Sequence, residues 1–286
     1  MIPELLGRCT FPPAGTLVDC AVSGGPDSLT LLVLSREAGC RVTAWHVDHG
    51  IRPDSAAEAE VVASTAKRWG AAFETRTANC KPGPNLEARA RMTRYGVLPE
   101  GVLTGHTADD QAETVLLNLM RGAGPAGLAG IDPTRRPLLA IRRHETRALC
   151  DSLGLEAVQD PSNLDPTHSR NRIRHELLPL LCDIAKRDVV PIIARSAGLM
   201  GNLRDLLDQL ATTIDPTDAR AVAEAPETLA QVALRRWIQS ETGSRYPPDA
   251  ATIDRVLAVA RNQSRSTDVG GGWRISRSAQ RLGLSR

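Results

Sequence analysis

Residues 17–34, LVDCAVSGGPDSLTLLVL, decide how the first part of the chain folds. An apolar run rich in valine and leucine ends in SGGPDS at 23–28, and a second apolar run follows at helical spacing. This pattern predicts a strand, a tight turn and the start of a helix. Pro26 suits the first helical position, where no N–H is needed, and the two glycines let a ligand approach the backbone closely.

The same turn predicts an anion site, because a helix N-terminus presents unpaired N–H groups and the positive end of the helix dipole. Asp27 is unexpected there, since a carboxylate repels phosphate. It fits beside a polyphosphate when a divalent cation lies between them, and hard oxygen ligands suit Mg²⁺. The sequence lacks the GxxxxGK[ST] pattern of the common nucleotide loop. A glycine-rich turn that binds nothing is the simpler alternative.

Strands alternate with helices through the first half of the chain, which predicts an α/β fold with a parallel sheet and helices on both faces. We predict further strands over 41–47, 72–76 and 101–105, and helices over 54–69, 84–98 and 109–120. Ligands of such sheets bind beyond the carboxyl ends of the strands. Three polar clusters occupy those positions: SGGPDS at 23–28, HVDHG at 46–50 and GHTADDQ at 105–111. Their convergence predicts a single site.

The second cluster, HVDHG, allows three interpretations. Metal binding by His46, Asp48 and His49 fits no common zinc spacing. A polar strand end without a ligand is the structural alternative. We favour contacts of His46 and Asp48 with the base and ribose of a nucleotide.

The third cluster continues as GHTADDQAET and places three carboxylates near a helix start. Thr107 and Asp110 have the spacing of a capping box, so helix capping accounts for part of the pattern. Asp110 and Glu113 are three residues apart and share a helix face. Opposite an anion-binding loop, these acids predict a guest that carries positive charge, such as a metal ion or an amine.

The remainder of the chain is predicted to form a smaller, mainly helical C-terminal domain. The basic helix start SRNRIRH at 169–175 either folds against the first domain or binds phosphate. We predict a flexible loop over 118–130, a short strand over 137–141, a linker over 215–225 and short strands over 268–284. The predicted domains are 1–212, with a helical extension from about residue 168, and 213–286.

Composition limits the class of function. The 286 residues are 42% hydrophobic, enough for two cores, and no stretch reaches the roughly 20 apolar residues of a membrane helix. Without a signal-peptide pattern either, we expect a cytoplasmic protein with no membrane partner. Six scattered cysteines form no CxxC pair, which argues against zinc ribbons and iron–sulfur centres.

Charge distribution is more informative than net charge. A net charge of +2 gives no global attraction to nucleic acid. From Arg261 onward, however, the chain carries six arginines against the single acid Asp268. Such a local basic surface suits a phosphate backbone. Aromatic residues make up only 3%, so a large base-stacking platform is not expected.

Taken in order, several motifs resemble those of the bacterial tRNA(Ile)-lysidine synthetase family, within the PP-loop ATP pyrophosphatase superfamily. They are SGGPDS, HVDHGIR, NLEARARMTRY, GHTADDQAET, NLMRGAGPAGLAG, RPLL and DPSNLDPTHSRNRIRHELLP, spread over 18–180. The resemblance implies the adenine nucleotide α-hydrolase-like fold. It also implies a loop at 23–28 that holds the pyrophosphate part of ATP, and cleavage between the α- and β-phosphates.

The implied activity is ATP-dependent ligation of free L-lysine to C2 of the wobble cytidine of an isoleucine tRNA with a CAU anticodon. The cytidine O2 first takes AMP from ATP with release of pyrophosphate, and the lysine amine then displaces AMP. The implied ATP contacts are Ser23, Gly24, Gly25, Pro26, Asp27, Ser28, His46 and Asp48. Asp27 is also the implied Mg²⁺ ligand.

The resemblance further assigns catalytic and tRNA-binding residues. Arg91 would neutralise the α-phosphate, Asp110 and Glu113 would bind the lysine amine, and His106 is the candidate base. With Asp27, these are the expected catalytic residues. The expected tRNA contacts are Arg170, Arg172, Arg174, Arg274 and Arg277, and the domain at 213–286 is expected to bind tRNA.

Two other functions compete with this interpretation. Another PP-loop tRNA-modifying enzyme, such as a thiolase, usually needs cysteines at its site, and no cysteine falls in the motifs matched here. A nucleotide-binding sensor without chemistry does not explain the acid cluster or the basic C-terminal half. A monomer and a homodimer are both compatible with the sequence.

Overall fold

A computed structural model describes residues 1–48, 55–78, 93, 96–158, 165, 167–244 and 246–286. The described chain divides into two compact units, Met1–Leu199 and Met200–Arg286. The helix predicted over 84–98 falls mostly outside the described residues, as do His49 and Arg91.

The first unit is built on a four-stranded parallel sheet in the order β3-β2-β1-β4. Its strands are β1 Leu17–Ala21, β2 Arg41–Asp48, β3 Ala72–Thr77 and β4 Leu103–Thr104. The chain runs outward from β1 through β2 to β3 and then returns to the other side of β1 as β4. The strand order therefore reverses between β1 and β4, which is where ligands of open α/β sheets bind. The predicted α/β fold with a parallel sheet is confirmed.

Nine α-helices begin within the described residues of this unit. They are α1 Ile2–Leu6, α2 Pro26–Glu37, α3 Ser55–Arg68, α4 Ala108–Met120, α5 Pro125–Leu128, α6 Arg143–Ser152, α7 Ser169–Arg172, α8 Leu178–Ala185 and α9 Val190–Ala211. Helices α2 and α4 follow the polar turns after β1 and β4. A π-helical turn at Ile173–Leu177 joins α7 to α8, and a 3₁₀ turn covers Pro133–Arg135. The division after Leu199 lies within α9. The predicted domain boundary at residue 212 lies directly after the end of that helix.

Helix α2 is buried through most of its length. Its residues from Ser28 to Ser35 are all buried, where they pack with β1 and β2. Each fully buried leucine contributes about 1.5–3 kcal/mol to stability. No side chain caps the N-terminus at Gly25, so part of the first turn of amides has no intrahelical partner and can serve a ligand.

A second apolar cluster positions charged helices against each other. Ala108 and Ala112 of α4 pack with Ile173, Leu178 and Val190. Since α4 carries the acid cluster and the chain before Ile173 carries arginines, this apolar contact brings the acidic and basic segments together.

Two predictions for the region after α4 are wrong. The segment 137–141 is a turn rather than a strand, although its Leu138 and Ile141 are fully buried. Periodicity alone does not distinguish such a short apolar run from a buried strand. The segment 118–130, predicted as a flexible loop, contains α5 and is tied to α4. Asn118 Nδ2 donates to the Gly127 carbonyl at 2.8 Å, and Gln111 Nε2 donates to the Ala129 carbonyl at 3.0 Å.

The second unit combines helices with a small antiparallel sheet. Its elements are α10 Ala219–Glu224, α11 Glu227–Thr242, α12 Ala250–Ala260, β5 Ser266–Gly270, β6 Trp273–Ser278 and β7 Arg281–Ser285, with the strands in that order. The predicted linker over 215–225 is wrong, because Asp218 caps α10 and both Ala219 and Val222 are fully buried. None of the helices in the described ranges has the length and apolarity that crossing a bilayer requires.

Candidate active site

The turn SGGPDS connects β1 to α2 at the carboxyl edge of the sheet, and Ser28 organises it. The Ser28 hydroxyl accepts from the Ser23 N–H at 3.1 Å and donates to the Gly25 carbonyl at 2.9 Å. Gly24 has φ +86°, and a Cβ at this position would lie 3.0 Å from Val158 Cγ2. Glycine is therefore needed at position 24 both for the left-handed backbone and for the close neighbour.

Gly105 brings the end of β4 against the start of α2. A Cβ at Gly105 would lie 2.6 Å from the Asp27 carbonyl oxygen. We expect Gly105→Ala to push the loop at 23–28 out of position, to lower stability by about 1–3 kcal/mol and to weaken nucleotide binding. Gly124→Ala is the matched control, because no described residue lies within 4 Å of its added Cβ. Thermal unfolding and nucleotide titration compare the two variants, and equal behaviour would contradict this close approach.

Asp27, in the first turn of α2, is held by two side chains of α6. The Thr146 hydroxyl donates to Asp27 Oδ1, and Arg143 Nε lies 3.5 Å from Oδ2. Burial raises the pKa of the Asp27 carboxyl, while the hydrogen bond from Thr146 and the charge of Arg143 oppose the rise. One carboxylate beside a turn suited to phosphate fits Mg²⁺, which proteins usually hold with one or two carboxylates and the substrate's own phosphates.

His46 presents an unsatisfied acceptor near the same loop. Its Nδ1 lies 3.0 Å from the Val22 carbonyl, which can only accept, so Nδ1 carries the proton. In that tautomer Nε2 is an acceptor, and it is buried with no hydrogen-bond partner among the residues that the structure describes. A buried acceptor that lacks a donor costs free energy, so a ligand hydroxyl or amino group suits this position. Asp48 ends β2 two residues later.

Glu113 is fully buried between three arginines. Its Oε1 accepts from Arg143 Nη1 at 2.9 Å and from Arg174 Nε at 2.7 Å, and its Oε2 accepts from Arg170 Nε at 2.7 Å. Burial alone would raise the pKa of Glu113, but the hydrogen bond from Arg174 and the charge of Arg143 outweigh it and lower the pKa. Glu113 is therefore an anion.

Asp110 shares those arginines and also caps its own helix. Its Oδ1 lies 2.9 Å from Arg143 Nη2 and 3.3 Å from Arg170 Nη2. Its Oδ2 accepts from the Thr107 N–H at 2.9 Å and from the Thr107 hydroxyl at 3.0 Å. Burial would raise the pKa of Asp110, and the charges of Arg143 and Arg170 instead hold it below its usual range. Capping and charge pairing thus use different oxygens of one carboxylate.

Asp109 serves a different contact from its two acidic neighbours. It accepts from Arg142 Nε at 3.0 Å, from Arg142 Nη2 at 3.1 Å and from the Arg143 N–H at 2.8 Å. Asp109 therefore fastens the start of α6 to α4. Of the three acids of α4, only Asp110 and Glu113 contact the guanidinium groups of Arg143, Arg170 and Arg174, and we call these two carboxylates the acid pair.

The sequence interpretation missed Arg143 and Thr146, which lie on α6, and Arg142, which is the N-cap residue of that helix. A signal was present in the sequence. Two adjacent arginines at 142–143 stand at a helix start, where the helix dipole disfavours positive charge. A local preference that is violated in this way points to tertiary partners, here the acids of α4.

The other predicted site residues lie in several places. His106 follows β4, with Nδ1 2.7 Å from the Thr104 hydroxyl. Arg172 is exposed and pairs with Glu176 at 2.8 Å, unlike Arg170 and Arg174, which contact the acid pair. In the second unit Arg274 is exposed on β6, and Arg277 donates to the Ala260 carbonyl and to Gln280.

The cysteines that the structure describes show no reactive grouping. Cys9, Cys20, Cys40, Cys150 and Cys182 are free thiols, and Cys80 lies outside the described ranges. Burial raises the pKa of Cys20 to about 12, so this thiol stays protonated. No group of three or more His, Cys, Asp or Glu side chains among the described residues is placed to hold a metal ion.

Comparison with known proteins places the turn at 23–28 and the acid pair within one known domain family. The PP-loop domain family matches residues 11–181. The tRNA(Ile)-lysidine synthase of Nocardia farcinica is 38% identical over 282 residues, covering 92% of this chain and 88% of that protein. The tRNA(Ile)-lysidine synthase of Gloeobacter violaceus is 36% identical over 303 residues, covering 96% and 91%.

A solved structure supports the fold independently. The U34-tRNA thiolase of Methanococcus maripaludis matches with a TM-score of 0.55 and 20% identity, over 70% of this chain and 77% of that chain. At that identity the likeness concerns the fold alone. The family match and the identity to full relatives together decide the assignment. This chain belongs to the tRNA(Ile)-lysidine synthase family of PP-loop proteins.

Proposed function

We propose that this protein joins free lysine to C2 of the wobble cytidine of an isoleucine tRNA, using ATP to adenylate the cytidine first. The observation that carries the proposal is the continuous contact from Asp27 through Arg143 to Asp110 and Glu113. It joins a turn suited to polyphosphate with a pair of carboxylates suited to an amine. A single site of this kind serves a reaction that consumes both ATP and lysine.

In the first step, O2 of the cytosine attacks the α-phosphorus of ATP. The bond from that phosphorus to the bridging oxygen breaks, and pyrophosphate leaves. The amides of the loop at 23–28 hold the departing pyrophosphate, where preorganised donors stabilise developing charge. Mg²⁺ held by Asp27 and phosphate oxygens would neutralise part of that charge. Arg91, outside the described residues, is assigned to the α-phosphate by resemblance.

In the second step, the ε-amine of lysine attacks C2, the C2–O bond breaks, and AMP leaves with that oxygen. The amine must lose protons to become the nucleophile and to form the neutral product. The acid pair is assigned to the lysine ammonium as it binds. His106 is the candidate base, and its Nδ1 contact with Thr104 orients the ring.

The tRNA contacts are proposed from charge. Arg170, Arg172 and Arg174 lie on consecutive turns next to the site, and Arg274 and Arg277 lie on β6 of the second unit. Arg170 and Arg174 also hold Glu113, so substituting them is expected to disturb the lysine step as well. Within the described residues the exposed Arg172 side chain pairs only with Glu176, so Arg172 is the cleaner test of RNA contact.

A reconstituted reaction tests the proposed function. Purified protein is incubated with radiolabelled lysine, ATP, Mg²⁺ and an isoleucine tRNA transcript with a CAU anticodon. We expect one lysine per tRNA, with equal amounts of AMP and pyrophosphate. The same transcript with uridine at the wobble position is the control and should accept no lysine. Absence of lysine from the CAU transcript, with properly folded protein, would refute the proposal.

A further inference from the structure

One guanidinium, that of Arg143, faces three different carboxylates with its three nitrogens. Nε lies 3.5 Å from Asp27 Oδ2, Nη2 lies 2.9 Å from Asp110 Oδ1, and Nη1 lies 2.9 Å from Glu113 Oε1. The side chain is only 13% exposed. Arg143 therefore occupies the space between the phosphate-binding turn and the acid pair.

Within the described part of the chain, the ion-paired side chains of this cluster balance in formal charge. Three carboxylates, those of Asp27 and the acid pair, meet three guanidiniums, those of Arg143, Arg170 and Arg174. An ammonium that joins the acid pair adds a positive charge to a largely buried and already neutral group. Uncompensated buried charge is costly, so one guanidinium has to leave the acid pair when the ammonium arrives.

Arg143 differs from the other two arginines in what it can reach. Within the described residues, Arg170 and Arg174 contact the acid pair but not Asp27. Arg143 alone of the three also contacts Asp27, which lies in the first turn of α2, where the helix N-terminus attracts anions. Guanidinium groups bind phosphate well through paired N–H donors. An incoming polyphosphate thus competes with the acid pair for Arg143 and not for the other two.

We propose that Arg143 is an exchangeable counterion that couples ATP binding to lysine binding. When ATP enters, the Arg143 guanidinium transfers from Asp110 and Glu113 to phosphate oxygens, and the acid pair becomes available to the lysine ammonium. The inference rests on the proposed function and adds an order to it, since lysine binds well only after ATP. Coupling between sites is reciprocal and typically amounts to about 5- to 150-fold in affinity.

Lysine binding measured by calorimetry tests this coupling without any turnover. The titration is done with and without α,β-methylene-ATP and Mg²⁺, because this analogue cannot release pyrophosphate. We expect wild-type protein to bind lysine about 5- to 150-fold more tightly with the analogue. Equal lysine affinity with and without the analogue would overturn the inference.

Variants separate this role from a purely structural one. Arg143→Gln removes one positive charge, so lysine affinity without nucleotide should rise toward that of nucleotide-loaded wild type, and the coupling factor should fall toward one. A merely structural arginine would instead give weaker lysine binding in both states, and that result would overturn the proposal. If Arg143→Gln does not fold, Arg143→Lys takes its place in the test. Arg143→Lys keeps the charge, so it should fold and retain part of the coupling. Arg147→Gln is the matched control, because Arg147 is exposed on the same helix.

The outcome also separates this inference from the proposed function. Lysine incorporation into tRNA by a wild-type protein that shows no coupling defeats the counterion role and leaves the function standing. Absence of both lysine binding and lysine incorporation defeats the two together.

Discussion

Asp27→Ala is expected to abolish AMP formation, with a rate at least about 1,000-fold below that of wild type. The carboxylate lies in the first turn of α2, where the helix N-terminus favours polyphosphate. Asp27 would hold Mg²⁺, and the ion would supply positive charge beside the phosphates. Without it, charge on the leaving pyrophosphate is not neutralised. The measurement is release of AMP and pyrophosphate from ATP with Mg²⁺ and tRNA.

The fold should survive this substitution, because Asp27 contributes no apolar core contact and its partners Arg143 and Thr146 keep other hydrogen bonds. Circular dichroism and thermal unfolding verify this. Asp151→Ala on α6 is the control, since it removes an exposed acid from a neighbouring helix. Full pyrophosphate release by a folded Asp27→Ala protein would show that Asp27 does not hold a catalytic metal.

Asp110→Asn is expected to impair the use of lysine far more than adenylation. Losing a charge-assisted contact to an ammonium costs about 1.5–3 kcal/mol, or roughly a 10- to 100-fold higher KM for lysine. The amide keeps an oxygen for the Thr107 N–H, so the helix cap can persist. The rate of pyrophosphate release, followed without lysine, should change much less.

Asp109→Asn provides the comparison, because Asp109 is the acid next to Asp110 but does not belong to the acid pair. Asp109 instead fastens the start of α6 to α4. It should weaken both steps to a similar extent. An unchanged KM for lysine in Asp110→Asn would remove Asp110 from the lysine site.

Local patterns were sufficient to predict the framework of the site. The run at 17–34 predicted β1, the turn and α2. The strand, the change to helical spacing and the helix start at Pro26 are all encoded by residues close together in sequence. The acid-rich start of α4 was predicted for the same reason. The convergence of both at one sheet edge follows from the general rule for parallel strands.

Partners distant in sequence were not predictable in this way. Arg143 and Arg170 contact Glu113 from 30 and 57 residues away, and no local period links those positions. The acids therefore suggested an external cation, whereas the chain itself supplies the adjacent positive charge. The segment 215–225 likewise looked like a linker because it contains proline and acidic residues, yet its Ala219 and Val222 are buried in a core assembled from residues up to 282.

The π-turn at Ile173–Leu177 lets this stretch of helix tolerate a one-residue change in length. A π-helical turn accommodates one residue more than the α-helical turn it replaces. Deleting one residue within the turn would therefore restore regular winding and leave the following helix in nearly the same orientation. Deleting a residue from the regular helix before the turn would instead rotate everything downstream by about 100°, and Leu178 would turn away from Ala108 and Ala112. Homologues should therefore gain or lose a single residue within 173–177 and not in the regular helix before it.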